Sequence, residues 1–455
     1  MSTGPQLSLE PTSITVFRKW IISRGGYIHP ALRFVKGLFG MSVHTTGDLP
    51  CDSKIISCPF TLAITPESSK QALSIFCHLS TDGAEHLEKL SKRELICTYL
   101  VLHWLLEEEG SDWSLSSAFQ HLPYLDTLPS ADVLRTPLHF CETELSLLRA
   151  TNLYGATIDR TAERRSEWER CRYYIGITRA GWENGFTWQR YLTAATYLSS
   201  RAFPSTILSS TPSLVATEDS YPILLPGVDS LNHARAHKVS WCIDFDPDLS
   251  SPTHHISLVI HSASQAHTEI FNNYGPKPNS ELILGYGFSL SNNPDDTIVL
   301  KIGGMPQSGL EGIEAQRWEV GRRARGIEGI WEELKATLSQ FQEEPVEWMI
   351  ALEAAEMLNE MVGCKLKALP CVSEVQPETV RGDVLQMIQH YVQGSYIGLS
   401  HIYYSTDILV STTGQEMILQ SIAAFADAQR ELAISKAREN GMELVFEDAE
   451  ADDSA

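Results

Sequence analysis

The chain has 455 residues, too many for one ordinary core, so two or three packed units are expected. With 43% hydrophobic and 20% charged residues it reads as globular rather than disordered, and no apolar run approaches the ~18 residues that span a bilayer. A formal net charge of −22 argues against direct binding to a phosphate backbone, which needs clustered Lys and Arg, and suits basic partners such as lysine-rich protein segments.

The opening MSTGPQLSLEPTS lacks a basic region followed by an apolar core, so no secretory signal is expected, and residues 1–15 read as a flexible arm. Residues 54–57 and 60–64 read as short strands broken by Pro59. Ser91 and Glu94 form a capping box that opens an apolar-periodic helix to Leu106, with Gly110 as its stop. Further helices are expected over 143–149 and 187–200. From Val228 the period changes, and 239–245, 255–261 and 298–301 read as strands. Beyond about residue 305 the pattern is helical again, over 314–342, 346–362, 378–393 and 413–439, the last closing at Asn440-Gly441. Residues 443–455 form an acidic tail. The nine cysteines are scattered without a C-x-x-C pair, so they read as reduced thiols rather than a zinc or redox site. Two β-rich segments separated by helical sequence predict an α+β chain. In it, one sheet module carries a helical insertion and an all-helical C-terminal domain follows.

Two motifs carry the chemistry, LLPGVDSLNHA at 224–234 and EIFNNYGPKPNSELILGYGF at 269–288. Taken singly, their residues leave bland readings open. Asp229 and Asn232 suit a turn, Tyr274 a strand-end core residue, and Arg201 a helix end. His233 and His237 stand four apart, but no carboxylate or thiolate completes a ligand set, so no metal is expected.

Taken in order, the two motifs resemble the catalytic motifs of SET methyltransferases of the Rubisco large-subunit methyltransferase-like type, which includes ribosomal-protein lysine methyltransferases. YLSSRAF (197–203), LPYLDTLPS (122–130) and TPLHFCETELSLL (136–148) fall where that family has its Ser-Arg-Ala-Phe element and its helical insertion. The resemblance implies a SET domain over 16–304, with its helical insertion at about 67–222. It also implies a helical substrate-binding-like domain over 305–442. The implied cofactor is S-adenosyl-L-methionine. Arg201 would hold its carboxylate through a planar, permanently charged fork. Asn232 and His233 would hold its amino-acid and adenine ends, with Asp229 supporting their loop. Gly40, Ser42, Ser53 and Ile55 fall on the N-terminal cofactor element. There the family's second glycine is replaced by Ser42, whose side chain would crowd the cofactor if the backbone needed positive φ. The following turn lacks the usual Gly-Glu pair. Tyr274 would be catalytic, holding the amine in line with the transferred methyl, while Tyr286, Phe288 and Phe203 would line a dry lysine channel.

The implied activity is methylation of lysine in a non-histone protein by a soluble monomer of the cytoplasm or nucleus that binds neither membrane nor nucleic acid. Two alternatives stay open. One is a SET-fold protein that has lost methyl transfer and serves binding or small-molecule chemistry; the other is a protein-histidine N-methyltransferase.

Overall fold

A computed structural model describes residues 10–37, 40–76, 81–110, 117–209, 211–246, 253–301, 317–372, 379–394 and 414–442. The chain opens with α1 (Thr12–Ser23), β1 (Tyr27–Ile28), β2 (Leu32–Gly37), β3 (Gly40–Thr45) and β4 (Ser53–Pro59). Helices α2 (Pro66–Phe76), α3 (Thr81–Leu87), α4 (Lys92–Glu108), α5 (Leu122–Leu125), α6 (Glu142–Ser146), α7 (Asn152–Thr178) and α8 (Trp188–Arg201) follow. Strands return as β5 (Phe203–Pro204), β6 (Pro222–Ile223), β7 (Val239–Asp246) and β8 (Thr253–Ile260), and α9 (Asn279–Tyr286) leads to β9 (Thr297–Lys301) and β10 (Arg317–Gly321). The chain then continues through α10 (Glu328–Ser339), α11 (Glu347–Ala368), α12 (Gly382–Val392) and α13 (Gln415–Glu439).

The described residues fall into two compact units. One lies within Met1–His139, Ile158–Pro276 and Gly285–Gly287, and the other within Phe140–Thr157, Lys277–Leu284 and Phe288–Ala455. In the first, an antiparallel sheet of order β1-β4-β8-β7 joins strands from both sides of the helical insertion, with Ser53 opposite Ile260 and Val239 opposite Ile260 in turn. A bulge at Ile55 interrupts the ladder between Lys54 and Ile56, and the Ile55 carbonyl accepts instead from the His29 N–H at 2.8 Å. Alternating apolar residues bury one face of this sheet with α1 (Ile14, Phe17, Ile21) and the insertion helices.

Local sequence sets the helix ends. The Ser91 hydroxyl accepts the Glu94 N–H at 3.2 Å and Glu94 accepts the Ser91 N–H at 2.7 Å, the expected box at the start of α4. Gly110 beyond it takes a left-handed φ of +62°. Thr187 caps the start of α8 by accepting the Arg190 N–H at 3.3 Å, and the helix runs from there to Arg201.

Some elements differ from expectation. Phe60–Leu62 is a 3-10 turn rather than a strand, because Pro59 cannot donate onward in a ladder. The helix expected from 314 begins only at Glu328. Residues 317–321 form β10 against β9, and Arg323, Ala324 and Gly326 all adopt positive φ, which no helix interior accommodates. Thr12 already opens α1 within the stretch read as an arm. Residues 1–9 of that arm and the acidic tail at 443–455 lie outside the described residues.

The second unit holds β9, β10 and the C-terminal helices around Leu300, Ile330, Leu358, Ile418 and Ile422. Within it Asn279 opens α9. Its N–H meets Asp296 Oδ1 at 2.9 Å, and its own Oδ1 accepts the Leu290 N–H at 2.9 Å. Burial pushes the Asp296 carboxyl up to about 7, against the pull of the Asn279 and Thr297 N–H groups.

Candidate active site

The first motif and the second as far as Pro276 lie side by side in the first unit. The Asn272 N–H donates to the Asn232 carbonyl at 2.7 Å, and the Ala234 N–H to the Asn272 carbonyl at 2.9 Å, a short parallel bridge centred on His233. Tyr274 is locked onto the first segment at two points. Its N–H donates to His233 Nδ1 at 3.0 Å, and its hydroxyl donates to the Leu231 carbonyl at 2.8 Å. A ring nitrogen that accepts from a backbone N–H carries no proton, so His233 is the Nε2–H tautomer whenever it is neutral. The Tyr274 ring is stacked between His233 and Tyr286, with centroids 5.1 Å apart on each side.

Behind this stack sits a buried carboxylate. Asp229 Oδ2 accepts the Tyr124 hydroxyl at 2.6 Å and stands 3.5 Å from Arg201 Nη1, which donates more closely to the Asp229 carbonyl, at 2.9 Å. Asp229 Oδ1 is buried with no hydrogen-bond partner among the described residues. Burial raises the Asp229 pKa, and Arg201 and Tyr124 only partly offset it. Burial likewise raises the Tyr274 phenol, Arg201 again offsetting in part. At neutral pH Tyr274 is therefore a neutral hydroxyl and no ready base.

Arg201, Asp229, Tyr274, Tyr286 and Phe203 line one cavity of about 330 Å³, together with Ser200, Asn272, Asn273, Leu214 and Trp241. Phe203 meets Trp241 edge-on at 5.0 Å. The arginine fork has five N–H donors, so the Nη1 bond to Asp229 leaves capacity for an anionic ligand. Asn232 Nδ2 donates to Glu269 Oε1 at 2.8 Å, which leaves its Oδ1 as an acceptor.

Six predicted cofactor residues are not among those lining this cavity: Asn232 and His233, which bond its lining residues Asn272 and Tyr274, and the four of the N-terminal element. Gly40 begins β3 with φ +119°, and a Cβ there would stand 3.2 Å from Pro129 Cγ. Ser42 is in β3 opposite Val35, without positive φ, so a side chain is accommodated; its hydroxyl lies 3.0 Å from His44 Nε2 and 3.3 Å from the Val35 carbonyl. Ser53 opens β4 with its hydroxyl donating to the Pro50 carbonyl at 2.7 Å. Ile55, the bulged residue, is fully buried. Phe288 belongs to the second unit. Tyr124 and Glu269 were not singled out by the sequence. Tyr124 lies in the LPYLDTLPS stretch and Glu269 opens the second motif, but neither side chain announces its distant partner. Among the described residues no three His, Cys, Asp or Glu side chains group to hold a metal ion.

The architecture matches solved SET domains. Rubisco LSMT bound to sinefungin and monomethyllysine superposes with a TM-score of 0.65 at 16% identity, covering 94% of each chain. The SET domain of LSMT bound to lysine and AdoHcy gives 0.64 at 16% identity, again over 94% of each. In sequence, the ribosomal lysine N-methyltransferase set10 of Schizosaccharomyces pombe is 31% identical over 62% of this chain and 46% of its own length. The protein-lysine N-methyltransferase EFM1 of Saccharomyces cerevisiae is 26% identical over 64% and 52%. An actin-histidine N-methyltransferase of Rhinolophus ferrumequinum is 22% identical over 61% and 42%. The chain thus spans about half the length of the curated relatives it matches. No family model matches it. The fold is an α+β SET fold with a helical insertion, like that of these solved structures.

Proposed function

We propose that the chain is an S-adenosylmethionine-dependent protein-lysine N-methyltransferase acting on a non-histone protein. The observation that carries the reading is the clamped Tyr274. Its hydroxyl proton is committed to the Leu231 carbonyl, so toward a reacting amine its oxygen can only accept. That suits holding a neutral amine and the methyl hydrogens in line, not removing a proton.

The residues present fit the cofactor. Arg201 would take the methionyl carboxylate, Asn232 Oδ1 the α-ammonium, and His233 with its backbone the adenine end. The buried Asp229 keeps the arginine in place. Gly40, Ser42, Ser53 and Ile55 would contribute through the main chain. Bound S-adenosylmethionine supplies an electrophilic methyl on a sulfonium centre. Lysine, with a pKa of ~10.4 in water, must enter neutral, and the aromatic walls of Phe203 and Tyr286 favour the uncharged amine by excluding water. Phe288 is carried over from the resemblance alone as a proposed channel residue. We read 16–304 as the SET domain, 305–442 as the substrate-binding part, and the working form as a monomer of the cytoplasm or nucleus that binds neither nucleic acid nor membrane. The net charge of −22 supports a basic protein substrate.

Labelled S-adenosylmethionine and a cell lysate test this reading. One or a few protein bands should take up label, and acid hydrolysis should release methyllysine. Methylhistidine instead would transfer the activity to the class of the actin-directed relatives. Tyr274→Phe should reduce labelling sharply while S-adenosylhomocysteine still raises the melting temperature. Failure of wild-type protein to respond to millimolar S-adenosylhomocysteine would end the methyltransferase reading.

A further inference from the structure

A second cavity of about 680 Å³ adjoins the first and is unaccounted for by cofactor or acceptor. Its walls come from the segment after β5 (Ile207, Leu208, Pro212, Leu214) and from the sheet residues Trp241 and Ile243, with Phe60 from the 3-10 turn after β4. Leu214 and Trp241 line both cavities, so the larger one adjoins the space around Tyr274. Among the described residues that line it none is an Asp, Glu, Lys or Arg, and His254 is the titratable side chain. At its rim Leu214 is 46% and the next residue Val215 72% exposed, an unusual outlay of apolar surface for a segment that no core covers.

We propose that this groove receives an apolar side chain of the protein substrate within about three residues of the acceptor lysine, the reach of an extended chain at ~3.3 Å per residue. The inference rests on the methyltransferase reading and names what that site selects. Overall negative charge draws basic segments by long-range attraction, but the described residues of this groove hold no carboxylate to pair with a cation and its apolar walls would strip the cation's water. Selection at the flanking position is therefore apolar, while basic character acts only through encounter. The volume suits large side chains such as Leu, Ile, Phe or Trp.

The test uses the full chain. Isotopically labelled S-adenosylmethionine is incubated with a cell lysate and protein, and labelled residues are located by peptide mass spectrometry. Labelled lysines should carry a large apolar neighbour within three positions well above the frequency for lysines in the lysate. A synthetic substrate built on such a site should lose about 10- to 100-fold in kcat/KM when that neighbour becomes Asp, the factor expected for one buried apolar side chain. Ile243→Asp, on the wall away from Tyr274, should cost a similar factor in KM with little change in kcat. It should leave stabilisation by S-adenosylhomocysteine unchanged and be rescued by a substrate with Lys at the apolar position. Pro212→Asp serves the same purpose if Ile243→Asp does not fold. Absence of any labelled residue sinks the methyltransferase reading, and this inference with it. Labelled lysines with basic or unselected neighbours, or a groove variant with wild-type KM, overturn this inference alone.

Discussion

Replacing Tyr124 by phenylalanine removes one oxygen and leaves no cavity of consequence, yet it should be costly. The phenol is the closest donor to the Asp229 carboxylate, at 2.6 Å, and both groups are buried. Without it the carboxylate keeps only Arg201 Nη1 at 3.5 Å on the same oxygen, while Oδ1 already has no partner among the described residues. A hydrogen bond to a buried charge is worth ~1.5–3 kcal/mol, so the first unit should lose about that much. The loss has a pH signature. Burial already raises the folded pKa of Asp229, and Tyr124 is one of the groups that pull it back, so the variant's folded pKa rises further. A carboxyl whose folded pKa exceeds its unfolded value loses stability as pH climbs from the unfolded value through the folded one. The deficit of Tyr124→Phe should therefore be full at pH 8 and shrink on acidification, as protonation removes the stranded charge. Denaturant unfolding followed by a signal from the first unit, at pH 5 and pH 8, measures it. The cycle with Asp229→Asn isolates the pair. A coupling below ~0.5 kcal/mol, or a cost that grows on acidification, would refute the view that Tyr124 stabilises an ionised Asp229.

Glu269→Ala should free the Asn232 amide to rotate, weakening S-adenosylhomocysteine binding several-fold and raising KM for the cofactor with kcat little changed; calorimetric affinity equal to wild type would rule out the positioning role. His103 and His121 sit in the core of the first unit beside Tyr99, and burial lowers their pKa values to about 4 and about 3. Because the unfolded chain binds protons that these histidines refuse, stability should fall as pH drops below the unfolded value of ~6.5, by up to ~3 kcal/mol each near pH 4. An urea midpoint that stays flat from pH 7 to 5 would contradict this, and His103→Gln should reduce the fall. Gly40→Ala should cost ~1–3 kcal/mol for its φ of +119° and the Pro129 contact, whereas Ser42→Gly should cost no more than ~1 kcal/mol; thermal unfolding that ranks them the other way would undo the assignment of strain.

Legibility of the site followed the range of each interaction. Arg201, Asp229, Asn232, His233 and Tyr274 could be named because their residue types recur in an ordered set of motifs. That Tyr274 would bond His233 forty-one positions away could be expected only through the family resemblance, since a parallel bridge between two loops has no periodicity. Tyr124 was invisible for the same reason, as its partner lies 105 positions on. Within the insertion, α4 declared itself by Ser91 and Glu94, a local device. By contrast α7 gave no sign, because its middle, DRTAERRSEWER, is polar on every side and is held by partners such as Phe186 and Glu94 from elsewhere. The apolar run after Pro59 reads as strand because periodicity alone cannot separate a short buried strand from a tight turn.

Ser42 shows the opposite case, where the sequence raised an alarm that the backbone resolves. A Gly-x-Gly pattern does not say which glycine is needed for its conformation and which merely for its size. Here the left-handed demand falls on Gly40, which is kept, and Ser42 lies in ordinary paired strand with its hydroxyl turned to Val35 and His44. The altered position thus lacks the feature that would make a side chain intolerable. What weight remains against cofactor binding moves to the turn before Ser53, where Asp52 takes a left-handed φ of 60° and ties itself to His261 at 2.6 Å. That turn is rebuilt around a side-chain contact rather than lost, and it delivers β4 to the sheet in register with β8.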